Sequence, residues 1–225
     1  MPEPPDARPS TASTGDVPAA VKAQILATEH WSLLATRTLA WNESFSRASW
    51  FLTVVSATVV ALALVAQATQ FGGSFRFFAL LILPVVVVVG LATFVRLVDL
   101  NNEDVGLVAG MNRLRGGYLD ISPELAPYFV TGHHDDLAGI MRTYGAGSMT
   151  RIPLAQYLSS IALLIGMIDA VLIGALAGLA SAALGAGLVG AIGLGVTGVL
   201  LTLAALVLVV VRQVRRTWYA RDSRT

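Results

Sequence analysis

An apolar run from Tyr157 to Val211 contains a single charged residue, Asp169. The run is long enough to cross a membrane twice, because one helical span needs about 20 apolar residues. A carboxylate at bilayer depth that has no partner costs at least roughly 2.5 kcal/mol. Asp169 is therefore expected to face protein or water, and the run is typical of a multi-pass membrane protein.

The overall composition supports a membrane protein. Hydrophobic residues make up 55% of the chain and charged residues 13%, whereas soluble domains carry about 25% charged residues. A formal net charge of +1 gives no reason to expect nucleic-acid binding. The chain has no cysteine, which excludes disulfides, thiolate metal sites and cysteine nucleophiles. We predict no cofactor.

The apolar segments predict four spans in two hairpins. The first hairpin joins residues 50–69 to residues 77–95 through a short turn that contains Gly72 and Gly73. The second joins residues 158–179 to residues 188–211. Pro84 lies inside the second span and is expected to kink it. The predicted fold class is an all-α membrane protein with four transmembrane helices and cytoplasmic helical extensions.

The distribution of basic residues predicts the orientation. Of the 15 Lys and Arg residues, only Arg76 lies in one of the two short turns. By the positive-inside rule, both termini and the segment between the hairpins are cytoplasmic. The expected location is the inner (plasma) membrane.

The chain divides into five segments by composition. A helix without Gly or Pro is expected to run from Ala19 into the first span, and the second span should continue as an amphipathic helix to about Arg115. Gly116 and Gly117 could end that helix, and Asp104 interrupts its apolar seam. The predicted segments are a disordered tail (1–18), the first hairpin with its helical extensions (19–120), a cytoplasmic linker with a short helix (121–156), the second hairpin (157–211) and a basic cytoplasmic tail (212–225).

Polar and small residues form a stripe along one face of the first span. Its members recur at alternating steps of four and three residues, with apolar Val60 in one place of the series: Ser49, Thr53, Ser56, Ala63, Gln67 and Gln70. Such a stripe either packs closely against another helix or borders water. Both interpretations remain open, and Ser49, Thr53, Ser56 and Gln67 are candidates for the wall of a pore.

Small residues also recur at a spacing of four in the second hairpin. The ladder consists of Gly174, Gly178, Ala182, Ala186 and Gly190. Small side chains at this spacing let two helices approach closely. We expect Gly174, Gly178 and Gly190 to pack the third and fourth spans together or to contribute to a contact between subunits.

Asp169 has no Lys or Arg at mid-span with which to pair. It can remain protonated, accept hydrogen bonds from groups such as the Ser and Thr of the first span, or contact water and a permeating cation. It is therefore a candidate for an ion or proton pathway as well as for a structural role. The sequence has no GxxxxGK[ST], GxSxG or HExxH motif, so we predict that the protein is not an enzyme.

Two polar clusters outside the spans also have two interpretations. His133, His134, Asp135 and Asp136 could hold a metal ion, but the stronger interpretation is the start of a short helix, where carboxylates meet the positive end of the dipole. We predict no metal site. Arg212, Arg215 and Arg216 follow the last span directly and are either a stop-transfer cluster or an anchor for anionic lipid.

A helix that enters a short two-span hairpin, with a long helix emerging on the same side, occupies residues 29–120. This arrangement, from EHWSLLATRTLAWNESFSRASW through MNRLRGGYLD, resembles the SLATT class of bacterial membrane modules. The Ala, Val, Leu and Gly bias is similar to that of small membrane proteins from high-GC bacteria. The resemblance implies a pore-forming effector, and we expect a homo-oligomeric ion channel or pore. The alternative is a non-conducting scaffold that presents its cytoplasmic helices to a protein partner.

Overall fold

The computed structural model describes residues 17–145 and 160–222, with side chains as far as Arg212. Most of the predicted disordered tail lies outside these residues, as do the end of the predicted linker and positions 157–159 of the second hairpin. The described residues form helices and no strand. The predicted all-α class is therefore confirmed.

The first two helices are much longer than a membrane is thick. Helix α1 is Ala19–Thr69 and α2 is Gly73–Ile121. At 1.5 Å per residue each is about 75 Å long, against a hydrocarbon core of about 30 Å. We call the paired parts outside the apolar segments, residues 19–49 of α1 and 96–121 of α2, the arm.

The turn between α1 and α2 is shorter than predicted. Only residues 70–72 separate the helices, because residues 73–76 already belong to α2. The backbone reverses through Gln70 and Phe71, with φ of 50° and 57°, and not through left-handed glycines. α2 then runs continuously through Pro84.

The prediction that Gly116 and Gly117 end α2 is wrong. The helix continues to Ile121 and ends just before Ser122 and Pro123, because a residue that precedes proline disfavours the helical conformation. The two glycines permit close contacts instead. A Cβ atom on Gly117 would lie 3.2 Å from Leu26 of α1, and one on Gly116 would lie 3.0 Å from the His133 carbonyl oxygen.

A short helix packs against the side of the arm. A 3-10 helix, Pro123–Tyr128, is followed by α3, Leu137–Tyr144. Fully buried Ile140 of α3 contacts a small apolar cluster on α2 that includes Val108 and Met111. The chain after α2 therefore folds back onto the arm.

The second hairpin consists of α4, Ile161–Ala183, and α5, Leu188–Asp222. The hydroxyl of Ser160 caps α4 by accepting a hydrogen bond from the Leu163 N–H at 3.2 Å, and Gly185 in the turn has φ of +93°. α1, α2, α4 and residues 188–212 of α5 are each long and apolar enough to span a membrane. This confirms the four predicted spans. α5 continues as a helix into the predicted basic tail.

α2 lies at the centre of the bundle and contacts α1, α3 and α4. The main core combines its Phe94 and Leu97 with Phe51 of α1, Ile165 of α4 and Leu206 of α5. α5 is the least enclosed of the four spanning helices. The best-packed part of the membrane domain is therefore the junction of α1, α2 and α4.

Candidate functional site

Asp169 lies inside that junction. Its side chain is fully buried, at 0% exposure, and neither carboxyl oxygen has a hydrogen-bond partner in the described part of the chain. The carboxyl group rests against Gly90 of α2: a Cβ atom there would overlap Asp169 Oδ1 and would lie 2.8 Å from Phe51 of α1. The buried carboxyl thus lies on the backbone of α2 at Gly90, with Phe51 of α1 close by.

Along the helices that surround it, the carboxyl lies nearer the arm than the two short turns. Along α2, Gly90 precedes Arg96 by six residues, which is about 9 Å of helix. Along α1, Phe51 follows Arg47 by four residues, or about 6 Å. Measured along α1 and α2, Gly90 and Phe51 are therefore within about two turns of the first charged residue of the arm side.

The polar stripe of the first span lies on a different face of α1 from the one that packs within the chain. Ser49, Thr53, Ser56 and Gln67 are all exposed, as are Ala63 and Gln70. The face that packs within the chain carries instead the buried residues Ala48, Phe51, Thr58 and Ala66. Among the described residues, a groove on the stripe is lined by α1 only: Leu52, Thr53, Ser56, Ala57, Val60, Ala61 and Leu64. The stripe is therefore an outer surface of the single chain.

The structure does not bring Asp169 and the stripe together. Ser49, Thr53 and Ser56 point away from the junction, and the Thr53 hydroxyl donates to the Ser49 carbonyl oxygen of its own helix at 2.9 Å. The suggested hydrogen bonds from the first span to Asp169 are therefore wrong. A path along the stripe and a path past Asp169 would be separate.

A cluster of charges joins α1 to α2 where the arm meets the apolar segments. Arg96 donates to both carboxylate oxygens of Glu43, at 3.0 and 3.1 Å, and to Glu103 at 2.9 Å. Arg47 donates to Glu43 at 2.7 Å. Hydrogen bonds from Arg96, and next from Arg47, lower the pKa of Glu43 to about 2. The cluster fixes the register of the two helices at the membrane surface.

A second cluster, further along the arm, surrounds Asp104. Arg37 donates to its two oxygens at 2.6 and 3.2 Å, and Trp41 donates at 3.2 Å from the same helix. Tyr144 of α3 donates to Asp104 Oδ2 at 2.6 Å. One carboxylate thus joins α1, α2 and α3. In the sequence, Asp104 was visible only as a charged residue that interrupts the apolar seam of α2. That interruption did not identify its hydrogen-bond partners.

The His and Asp cluster before α3 has structural partners. The Asp136 carboxylate caps α3 by accepting from the Gly139 N–H at 2.8 Å, which confirms the helix-start interpretation for this residue. Asp135 pairs with Arg113 at 2.6 Å. The rings of His133 and His134 lie 4.2 Å apart, and no group of three or more metal-ligating side chains occurs among the described residues.

Part of the glycine ladder packs α4 against α5. A Cβ atom on Gly174 would overlap Val199 and lie 2.7 Å from the Gly195 carbonyl oxygen, and one on Gly178 would lie 3.2 Å from the Ala191 carbonyl oxygen. Gly190 behaves differently, because it is exposed and a Cβ atom there would meet only Ala186 of the preceding turn. The expectation that Gly190 packs the two spans together is wrong within one chain.

The basic residues after the last span can be described only in part. Arg212 is exposed at the end of the candidate span. The side chains of Arg215 and Arg216 lie outside the described part of the structure. Recognition of anionic lipid by the three arginines stays a prediction.

The chain matches no family model, no curated protein and no solved structure. The resemblance to SLATT modules therefore also stays a prediction. Any functional assignment must rest on the geometry of the helices.

Proposed function

We propose that the protein is a homo-oligomeric ion channel or pore, in which α1 helices from several copies surround a central path. The observation that carries this proposal is the exposed polar stripe of α1. Lipid cannot supply hydrogen-bond partners to groups such as Ser56 and Gln67, and the stripe faces away from the rest of its own chain. Further copies, or water enclosed by them, provide the surroundings that it needs.

A closed ring would bring the same stripe of each copy to a common axis. Most soluble homo-oligomers have closed symmetry, and rotation about an axis normal to the membrane keeps every copy in the same orientation. The stripe contains no charged residue between Ser49 and Gln70, so identical stripes can meet without repulsion. The groove between Leu52 and Leu64 offers space for a side chain of a neighbouring helix.

The composition of this wall predicts how the path is gated. Thr53 and Ser56 lie towards the arm, whereas Val60 and Ala63 occupy the middle of the stripe. A narrow apolar section in a pore closes by losing its water. Because the wall is uncharged, the path should discriminate weakly between cations and anions.

The remaining features of the proposal follow from the sequence. The asymmetry of basic residues favours the inner (plasma) membrane with both termini cytoplasmic, which places the arm in the cytoplasm. The resemblance to SLATT modules supports a pore-forming role. We propose no catalytic activity and no cofactor.

Conductance of the purified protein in a planar bilayer tests the proposal. Ser56→Cys should become sensitive to a charged methanethiosulfonate reagent, which blocks the current when it reacts at the wall. Val54→Cys is the matched control, because Val54 is also exposed on α1 but lies about 160° around the helix from Ser56. If the reagent changes both currents equally, the stripe does not line the pore. If crosslinking or microscopy shows that the parent protein is a monomer, the pore is excluded.

A scaffold is the second candidate, and it is favoured by large apolar side chains exposed on the arm. Ile25, Trp31 and Leu39 of α1 are 61%, 71% and 69% exposed. Assembled protein that carries no current at any voltage or pH would support this role. A photo-crosslinker at Trp31 should then give a discrete product in cells, and the same crosslinker at Glu29 should not.

A further inference from the structure

The geometry points to Asp169 as the binding site for one proton, which is taken up and released from the arm side of the membrane. This inference goes beyond the proposed channel and does not depend on it. It rests on the burial of the carboxyl group, on its contacts and on its depth in the membrane.

The surroundings of Asp169 select a proton over other cations. Its oxygens have no polar partner in the described part of the chain, Gly90 lies against the carboxyl, and Phe51 packs close to the same position of Gly90. A hard metal ion needs several oxygen ligands, which these two residues do not supply. A proton neutralises the carboxylate without any further ligand, so it is the cation that fits this space.

No charged residue of a neighbouring helix contacts the carboxyl among the described residues. Arg47 on α1 and Arg96 on α2 are the nearest charges along their helices, and both donate to Glu43. On α5, the nearest charged residue is Arg212, which is exposed at the helix end. The charge on Asp169 is therefore controlled by its own proton and not by a salt bridge.

The arm side is the nearer source of protons. One turn before Asp169 on α4, Gly166 packs against side chains: a Cβ atom there would lie 3.0 Å from Leu206 and 3.1 Å from Phe94. Side chains of α2 and α5 therefore pack against the turn of α4 that lies between Asp169 and the arm. We assign the entry of water to a displacement of these side chains.

Release of the proton must loosen the junction. The ionised carboxylate would lie against Gly90 without a hydrogen bond, and a charge at this depth requires water or a polar partner. α4 must then move away from α2, or water must enter between them. Proton release at Asp169 is thereby coupled to the packing of α1, α2 and α4.

Infrared difference spectroscopy of the full chain in lipid vesicles tests the site. The other carboxyl groups of the chain also absorb when they are protonated, so the band of Asp169 is the part of the carbonyl stretch that the parent has and Asp169→Asn lacks. This band should be present at low pH and disappear as the pH rises. Asp169→Asn keeps the size and the polar character of the side chain. Circular dichroism recorded in parallel should show unchanged helix content across the transition, and amide exchange around Gly90 should increase as the band disappears.

Three results would overturn the inference. A band absent from the parent at every pH would show that Asp169 is ionised and has a partner. A band that persists until the helices unfold would show a carboxyl that never exchanges its proton. A band that disappears with no change in exchange around Gly90 would separate protonation from packing. Channel measurements do not enter any of these outcomes, so failure here leaves the proposed channel intact.

Discussion

The carboxyl group of Asp169 occupies the space beside Gly90 that a Cβ atom on α2 would need. A Cβ atom at position 90 would overlap Asp169 Oδ1 and approach Phe51 to 2.8 Å. The two residues are on different hairpins, so this contact joins the first hairpin to the second. Close approach of α2 and α4 depends on the absence of a side chain at position 90.

Gly90→Ala should therefore destabilise the protein. Overpacking of a filled core costs roughly 1 to 3 kcal/mol, and the backbone of α2 cannot move easily because its other face packs against α1. Thermal unfolding in detergent measures the loss. The double variant Gly90→Ala/Asp169→Ala should recover most of it, because the shorter side chain frees the space. Equal melting temperatures for the parent and Gly90→Ala would contradict the contact.

Asp169 shows what the sequence could and could not predict. Its isolation in an apolar run predicted burial away from lipid, and the structure confirms that the side chain is buried. Its neighbours, Gly90 and Phe51, could not be predicted, because they are distant in sequence and neither carries a polar group. Apolar periodicity predicts which helices exist, but it does not determine which helices meet.

The same limit explains the Asp104 cluster. Arg37 and Trp41 precede Asp104 by 67 and 63 residues, and Tyr144 follows it by 40. Their convergence depends on the register of two long helices and on the return of α3. The wrong prediction that α2 ends at Gly116 and Gly117 has a related cause. A glycine can end a helix, or it can let a neighbouring segment approach the helix closely, and the sequence alone does not distinguish these two roles.

Glu43 predicts a specific dependence on pH. Its pKa is lowered from its ordinary value of 4.5 to about 2, first by hydrogen bonds from Arg96 and then by those from Arg47. The folded state therefore binds the proton less readily than the unfolded state does. The stabilisation is complete above about pH 4.5 and is lost as the pH falls towards 2.

Unfolding of Glu43→Gln at a series of acidic pH values checks this dependence. The variant should be less stable than the parent at pH 6, and the difference should shrink between pH 4.5 and 2. Glu29→Gln, at an exposed position on the same helix, is the control and should follow the parent. A difference that stays constant over this range would assign the effect to packing and not to charge.

Asp104→Asn should destabilise the arm strongly. Removal of one partner of a buried pair costs roughly 3 to 5 kcal/mol, and we expect the lower end because the Arg37 side chain is 25% exposed. The matched control is Arg113→Gln. Its pair with Asp135 is exposed on both sides, at 77% and 45%, so the loss should be below about 1 kcal/mol. Similar losses in the two variants would show that Asp104 does not hold the arm together.

The glycines of the second hairpin should differ in their tolerance of a methyl group. Gly174→Ala would place a Cβ atom against Val199 and Gly195 and should cost roughly 1 to 3 kcal/mol. Gly193 has open space around it, so Gly193→Ala should be neutral or should stabilise α5 by up to about 1 kcal/mol. Thermal unfolding of the two variants compares them directly. Equal destabilisation would contradict the assignment of Gly174 to the contact between α4 and α5.

Labelling of single cysteines should place the arm in the cytoplasm. The natural chain has no cysteine, so each introduced thiol reports one position. Ser74 is exposed in the first turn of helix α2, next to the first short turn, and Gly187 is exposed in the second short turn, whereas Ser32 is exposed on the arm. Ser181 is a poorer choice, because it is buried and its hydroxyl donates to the Gly178 carbonyl oxygen at 2.8 Å.

A membrane-impermeant maleimide should label Ser74→Cys and Gly187→Cys in intact cells and should label Ser32→Cys only after the membrane is opened. Labelling of Ser32→Cys in intact cells, with the turns protected, would reverse the orientation and with it the side from which Asp169 exchanges its proton.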